Sequence, residues 1–519
     1  MVSSVRVAEV LGALVSAADL ANGFPLGKVL RTSILASALA RHAGLGDVVT
    51  SAAYFTSQLR YLGCTGFAHE EAHRYGGGDD VALRNTMSMA DATDKLGTLG
   101  KVMRGIAPRA SLLRRGGAVA RLLGDPSAVH RHANTQCNAA IELGRMMGMA
   151  PELLADLSAI CERWDGRGEP RHLAGEAIPL ATRVHNFADI VEIAHHRGGL
   201  EAALAVVKKR RGRQLDPMLA DAFVAHAADL DHALATTTLW EDFVRAEPEP
   251  ALRVVPDQID GMVRALGFFA DLKSVHLLGH SQRVAELAAR TAERLGMNRD
   301  EQRLVSWAGH LHDLGRVAVP TGIWDRPGKL GVIEWGEVRM HTHHTERVLA
   351  LSPAWAAVRP IACSAHEEPR GTGYHRGLFD EQLTAPIRVL MVCDAVAAMG
   401  EGRAYRPALT ADEIAAQVGR EVEAGRYHRE VAEAALSAAG LDTATLRPSP
   451  REPPAGLSER EVEVLCWVAR GKTNKEIGVI LAISPKTVQH HVAHVYDKIG
   501  AYSRAGAAIF AMEHRLLDA

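Results

Sequence analysis

Apolar residues recur along most of this chain at intervals of three and four, the spacing that stacks side chains on one face of an α-helix. Val284, Leu287, Ala288 and Thr291 make one such stripe, and Ile387, Leu390, Met391 and Asp394 another. Strict alternation, the mark of a half-buried strand, is scarce, so the pattern predicts an all-α fold. Two proline-rich stretches interrupt it, Glu247-Pro248-Glu249-Pro250 through Pro256 and Arg447-Pro448-Ser449-Pro450 through Pro454-Ala455-Gly456. Proline lacks a backbone donor and restricts the residue before it, so both are expected as extended joints. They divide the chain into 1–246, 257–446 and, after a linker at 447–456, a tail at 457–519.

Start and stop signals are clearest in the tail. Ser458 with Glu461 and Thr473 with Glu476 have the spacing of capping boxes, and Ser484-Pro485 offers an N-cap followed by proline at the first helical position. Gly471 and Gly500 stand where left-handed C-caps are wanted, and Ser503 can cap a last helix. Four short helices result. The second (474–481) and third (485–499) are separated by Ala482, Ile483 and Ser484, the tight joint of a helix-turn-helix. On the third, Val488, Val492, Val495 and Ile499 share one stripe, so Lys486, His490, Ala493 and Asp497 point away from it, with Gln489 and His494 beside them.

Composition narrows the partners and the compartment. The formal net charge is −2, so any attraction to nucleic acid has to come from a local surface. The six cysteines are scattered with no CxxC pair, which suits buried thiols in a reducing compartment and excludes a zinc ribbon. Arg6, Glu9 and Asp19 interrupt the apolar N-terminal stretch, which reads as an amphipathic helix and not a signal peptide. No apolar run reaches the roughly 18 residues of a membrane span. A cytoplasmic protein is expected.

The stretch from Leu457 to Ala507, LSEREVEVLCWVARGKTNKEIGVILAISPKTVQHHVAHVYDKIGAYSRAGA, resembles the LuxR-type DNA-binding domain along its whole length. The resemblance implies that Gln489, His490 and Ala493 lie near base edges and Lys475, Lys486, Thr487, Lys498 and Arg504 near phosphates of double-stranded DNA. Cations there neutralise phosphates and release counterions, while amide and imidazole edges read bases. Ala493 can touch only a thymine methyl, so few base-specific contacts are expected. In this family the last helix often pairs two subunits, which implies a homodimer.

The first two segments resemble one another. Gly27-Lys28 and Leu62-Gly63 match Gly279-His280 and Leu314-Gly315 at one constant offset of 252 positions. Farther on, 162–166 and Asp189 match 367–371 and Asp394 at a constant offset of 205, so the first copy carries an insertion of about 47 residues. The second copy holds His280, His312-Asp313, His341, His366 and Asp394 within or beside apolar helical patterns, where an unpaired ionisable group is costly. Imidazoles with carboxylates are what a divalent transition-metal site requires.

The order HDLGR, PTGIWDRPGKL, EWGEVRMH and VLMVCDAVAAM, over roughly 257–407, resembles the HD superfamily of metal-dependent phosphohydrolases, and more narrowly the HD-GYP family that cleaves cyclic di-GMP. The resemblance implies that His280, His312, Asp313 and Asp394 bind one metal and that His341 and His366 help hold a second across a shared Asp313. It further implies that a water of lowered pKa attacks phosphorus and that Arg316, where the family has lysine, balances developing charge. One or two divalent ions are expected, with Fe, Mn, Mg and Zn not distinguished. Departures stand beside these matches: Ala365-His366 replaces paired histidines, Gly373-Tyr374-His375 stands for the GYP signature, and Arg370 replaces an aspartate. His276 and His375 are the candidates to compensate for the lost ligand.

In the first copy the ligand positions hold Lys28, Arg60, Tyr61 and Cys161, with only Asp189 left. An emptied site is expected, with Lys28 or Arg60 paired to Asp189 in place of a metal. Within the insertion, the 76–80 stretch GGGDD lacks the Gly-Lys-Ser/Thr of a phosphate loop and reads as a flexible linker. Three functions stay open. One is a transcription regulator whose HD-type module senses or turns over a phosphate ester, a cyclic dinucleotide among the candidates. The others are a cyclic di-GMP phosphodiesterase with a DNA-tethering tail, and a non-catalytic HD scaffold.

Overall fold

The computed structural model describes residues 5–75, 77–88, 106, 112–125, 127–446, 454–514 and 516–517. Among these the chain is helical, with isolated bridges but no strand, as the apolar spacing implied. Two compact units are present, Met1–Leu446 and Arg447–Ala519.

The larger unit is held by a core that both of its halves build. Helix α1 (Val7–Val15) contributes Leu11 and Leu14, the first half Tyr54 and Leu62, and the second half Leu266, Phe269, Leu311 and Leu390, all buried in one cluster. The N-terminal helix thereby serves the second half: the Trp355 indole donates to the Val10 carbonyl at 3.2 Å. The proline-rich joint after Ala246 is non-helical up to Val255, with bends at Glu247, Glu249 and Pro250 in place of a fully extended course. It is also pinned, because Leu252 and Val254 exchange backbone bonds with Val7 and Val5. It is a joint inside one compact unit. The second proline-rich stretch falls largely outside the described residues.

Both halves launch their key helix in the same way. Helix α2 (Lys28–His42) follows Gly27 at φ 94°, and α3 (His280–Arg294) follows Gly279 at φ 75°, left-handed conformations that favour glycine. A buried carboxylate ties down each start: Asp19 accepts from Gly27 and Val29 amides, and Asp271 accepts from the Ser281 amide and hydroxyl. Close backbone approach explains the matched Leu-Gly pairs. A Cβ on Gly63 would lie 1.9 Å from the Gln136 carbonyl oxygen, and one on Gly315 2.0 Å from that of His341. Glu162 and Glu367 likewise each accept two loop amides, from Arg171 and Leu173 and from Arg376 and Leu378. The two offsets read from the sequence are thus repeated in hydrogen bonding.

One expectation is corrected. The 77–80 segment is docked and does not act as a flexible linker; Gly76 lies outside the described residues. Asp79 caps the helix Asp80–Met87, and buried Asp80 pairs with Lys273 at 2.6 Å while accepting from the Thr321 amide at 2.8 Å. The Gly322 amide donates to the Gly78 carbonyl at 2.9 Å. Burial of this lysine-carboxylate pair demands mutual neutralisation, which turns a glycine-rich stretch into a seam between insertion and second half.

The smaller unit contains helices α4 (Glu459–Ala469), α5 (Asn474–Ile480), α6 (Pro485–Ile499) and α7 (Arg504–Glu513). Every cap read from the sequence is made: Ser458, Thr473, Ser484 and Ser503 each accept a backbone amide, and Gly500 ends α6 at φ 64°. Val488 and Val495 are buried, with Val492 and Ile499 packed against that core.

Candidate metal centre and DNA-binding surface

All six candidate metal ligands converge in the second half. His280 opens α3, His312 and Asp313 follow the helix Arg299–Leu311, and His341 opens the helix His341–Leu349. His366 sits on the loop before the glycine signature, and Asp394 lies inside the helix Ala385–Met399. Their donor atoms form two triads, His280–His312–Asp394 and Asp313–His341–His366, each with all atoms within 4.8 Å.

Orientation matters more than proximity. His312 and His341 each direct Nδ1 to the carbonyl three residues back, Gly309 at 2.8 Å and Val338 at 2.6 Å, so that Nε2 faces the centre. There His312 Nε2 is 3.0 Å from Asp313 Oδ2 and His341 Nε2 is 3.2 Å from Asp313 Oδ1. Neither contact is aligned as a hydrogen bond. Both Asp313 oxygens and the Nε2 atoms of His312, His341 and His366 are buried without a hydrogen-bond partner. Buried polar atoms left without partners are costly, so a shared electrophile between them is the economical explanation. The donor set, imidazole nitrogens and carboxylate oxygens, with the second nitrogens of His312 and His341 fixed by carbonyls and that of His280 by Glu401, fits a divalent metal.

Electrostatics point the same way. Burial alone would lower His280, but Asp313, Asp394 and Glu401 raise it to about 10, and Asp313 and Asp394 likewise raise His312 to about 9. Burial alone would raise Asp313, yet Arg316 and His312 hold it well below the usual carboxylate range. The cage therefore attracts positive charge strongly. His366, by contrast, is pushed down to about 3 chiefly by burial, leaving a neutral ring with a free lone pair.

The surrounding shell contains residues the sequence reading missed. Glu401 accepts from His280 Nδ1 at 3.1 Å and is itself held by Arg283 and Arg403. It lies two residues beyond the end of the helix that carries Asp394, where helical spacing gives no signal of its role. Trp324 donates to the Arg316 carbonyl at 3.3 Å and lies under its guanidinium at 5.2 Å. Arg316 Nη1 is 2.7 Å from Asp313 Oδ2, and the Tyr374 ring lies 4.7 Å from that of His366. His375 does not compensate for the missing ligand, because Glu346 at 2.6 Å and Thr342 at 2.9 Å engage both of its nitrogens. His276 is in neither triad.

In the first half the same positions enclose an ammonium group. Lys28 Nζ pairs with Asp189 Oδ1, and the Tyr61 hydroxyl donates to Asp189 at 2.8 Å. Lys28 is thus the cation that replaces the metal, while Arg60 lies over the Tyr61 ring at 4.8 Å.

On the tail, Lys475, Lys486, Thr487, Gln489, His490 and Ala493 are exposed, and an open concavity along α6 is lined by Ser484, Lys486, Thr487, His490, His491 and His494. Two expected phosphate contacts are engaged elsewhere. Lys498 binds Glu461 at 2.6 Å and the Gly456 carbonyl at 2.9 Å, and Arg504 donates to the Lys472 carbonyl and Asn474. Both side chains fasten neighbouring segments of the domain.

This geometry agrees with comparisons to known proteins. Residues 267–431 match the family model "HD domain", and residues 455–511 match "Bacterial regulatory proteins, luxR family". The chain carries an HD domain followed by a LuxR-type DNA-binding domain. It is 25% identical over 422 residues to a 3'3'-cGAMP-specific phosphodiesterase of Vibrio cholerae, covering 79% of this chain and 90% of that one. A cyclic di-GMP phosphodiesterase of Pseudomonas aeruginosa is 33% identical over 289 residues, 55% of this chain and 66% of the other. A crystal structure of a cyclic GMP-AMP-specific phosphodiesterase of V. cholerae shares the fold at a TM-score of 0.58 and 22% identity, covering 85% of this chain and 99% of that one. Among the described residues no helix is long and apolar enough to cross a membrane.

Proposed function

We propose that this protein is a DNA-binding transcription regulator whose HD domain hydrolyses a phosphodiester of a cyclic dinucleotide. The observation that carries the catalytic part is the clustering of Asp313, His341 and His366 beside His312, with buried Nε2 atoms and carboxylate oxygens that make no hydrogen bond. His280, His312, Asp313 and Asp394 would hold one divalent ion, and His341, His366 and the shared Asp313 a second. Ions there supply Lewis-acid polarisation and neutralise phosphate charge. The protein's own contribution is positioning. Asp313, kept ionised by Arg316, spans the two triads, and Glu401 fixes the His280 ring through Nδ1. Arg316 stands beside Asp313 and can take up charge that develops on the phosphoryl oxygens. Tyr374 and Trp324 offer aromatic surface for a base or ribose at the rim.

The relatives favour a cyclic dinucleotide over other phosphodiesters, the V. cholerae enzyme being specific for 3'3'-cGAMP and the P. aeruginosa enzyme acting on cyclic di-GMP. Turnover of both by the metal-loaded full chain, with His312→Ala and Asp313→Ala inactive, tests the reading. No turnover of either in Mn, Fe, Mg or Zn sinks it.

For the tail, α6 is proposed to lie in the major groove with Gln489, His490 and Ala493 at base edges and Lys475, Lys486 and Thr487 at phosphates. Replacing Lys486 by alanine should reduce the salt dependence of DNA binding by about one released counterion, whereas Gln489→Ala should relax base preference. A homodimer through α7 is part of the proposal, since Ile509 and Met512 are exposed there. A monomer on DNA by sedimentation would remove that part.

A further inference from the structure

A second group of metal-donor side chains lies on the seam between the insertion of the first half and the second half, apart from the centre described above. His69 lies in the short helix Ala68–Glu70, and His73 lies four residues on in the π-helical turn Glu71–Tyr75, which brings their rings to 4.3 Å. Asp325 closes the short helix Thr321–Trp324 from the other side of the seam. Its Oδ2 is 2.8 Å from His69 Nδ1 and 2.9 Å from His73 Nε2. Its Oδ1 accepts from the Ser274 hydroxyl.

The chemistry of this cluster is that of a ligand set. The Asp325 side chain is only 3% exposed, and its ion-pair partners among the described residues are the two imidazoles. A carboxylate buried this deeply calls for positive charge beside it, which a cation held by the two imidazoles would supply. Ser274 occupies one oxygen and orients the other, the role an outer-shell hydrogen bond plays at metal sites. The imidazoles are 38% and 44% exposed, so an ion can enter from solvent and keep a position open to water. Zinc bonds of about 2.0–2.1 Å to nitrogen and carboxylate oxygen put tetrahedral donors about 3.3 Å apart. The present separations need to open by about half an ångström, a small rotation for two half-exposed rings.

We propose that His69, His73 and Asp325 form a separate divalent-metal site that takes a zinc-like ion and staples the first half's insertion to the second half. Its place gives it a consequence. Asp325 follows Trp324, whose indole touches Arg316 and lies 6.1 Å from the His341 ring, so the staple fixes the loop that walls the catalytic centre.

Bound zinc per chain, measured on the tag-free full-length protein by elemental analysis after zinc loading and desalting, tests the site. His69→Ala/His73→Ala and, independently, Asp325→Asn should each bind one equivalent less than wild type. His312→Ala/Asp313→Ala should lose the zinc of the catalytic centre and keep this one. A zinc-dependent rise in melting temperature should persist in the last variant and shrink in the first two. Unchanged stoichiometry in both seam variants overturns the proposal, as does failure of the His312→Ala/Asp313→Ala protein to retain any zinc. Because His69 and His73 sit at the surface, their double variant stays informative even if Asp325→Asn folds poorly.

Discussion

The two halves of the larger unit keep one scaffold and fill its centre with opposite chemistry. In the second half, the ring of His280 bonds Asp394 at 3.1 Å with His312 beside them, a set of imidazoles and carboxylates that suits a divalent cation. In the first, the positions corresponding to His280, Asp313 and Asp394 hold Lys28, Tyr61 and Asp189, which bond directly to each other. At the same offsets Gln136 stands for His341 and Cys64 for Arg316, and the Gln136 amide donates to the Cys64 sulfur at 2.9 Å. A lysine's terminal nitrogen therefore does what a metal would do for the remaining carboxylate. The surrounding frame repeats the left-handed glycines and the carboxylates that hold each helix start. The difference teaches that scaffold and chemistry separate: once a covalently attached cation neutralises the buried aspartate, the metal ligands are free to be lost.

Four experiments would break or sharpen that comparison. The largest effect is expected for His312→Ala or Asp313→Ala, which should lower cyclic dinucleotide hydrolysis by about a thousandfold or more, since each removes a donor to the proposed ions. Equal residual rates in wild type and variants would erase the functional distinction between the halves. Next, Lys28→Met should destabilise the protein by about 3–5 kcal/mol in urea unfolding, because it strands Asp189 without its cation. Catalysis per folded molecule should stay within about twofold. A neutral effect on stability would mean that the ammonium is not a substitute for the metal.

Third, Glu401→Gln should weaken metal affinity by about 10–100-fold by releasing the His280 ring, with no loss of donors. Unaltered affinity would make Glu401 a packing residue. The smallest effect is graded with pH. In the metal-free protein His280 and His312 are raised to about 10 and about 9, so a metal must displace protons from them. Affinity should climb by about tenfold per pH unit for each proton released, from near neutrality toward pH 9. By linkage, the raised pKa values stabilise the metal-free fold fully below about 6.5, and that contribution fades as pH passes 9 to 10. Melting of the metal-free protein should therefore fall on the alkaline side, and added metal should flatten the fall. A pH-independent metal affinity contradicts the charged cage.

Much of this was legible in the residues. Capping boxes at Ser458 and Thr473, the Ser484-Pro485 start and the glycine stops gave the tail helix by helix, because caps are local hydrogen bonds between residues three apart. The six candidates named on the HD resemblance do cluster in space, in two groups of three. The partners of Lys498 and Arg504 were not legible, because a cation's place in the chain says nothing of its nearest acceptor, and Glu461 and the Lys472 carbonyl are brought to them by packing.

Helix periodicity, the caps and the internal duplication were thus legible in the chain alone, for each depends on neighbours in sequence or on a repeated pattern. Tertiary structure decided the rest: that α1 joins the core of the distant half, that Asp80 and Lys273 convert a glycine-rich stretch into a seam, that His375 turns to Glu346, and that His69, His73 and Asp325 meet. These are contacts between residues dozens to hundreds of positions apart. Their energy comes from burying charge and apolar surface together, which no local pattern encodes.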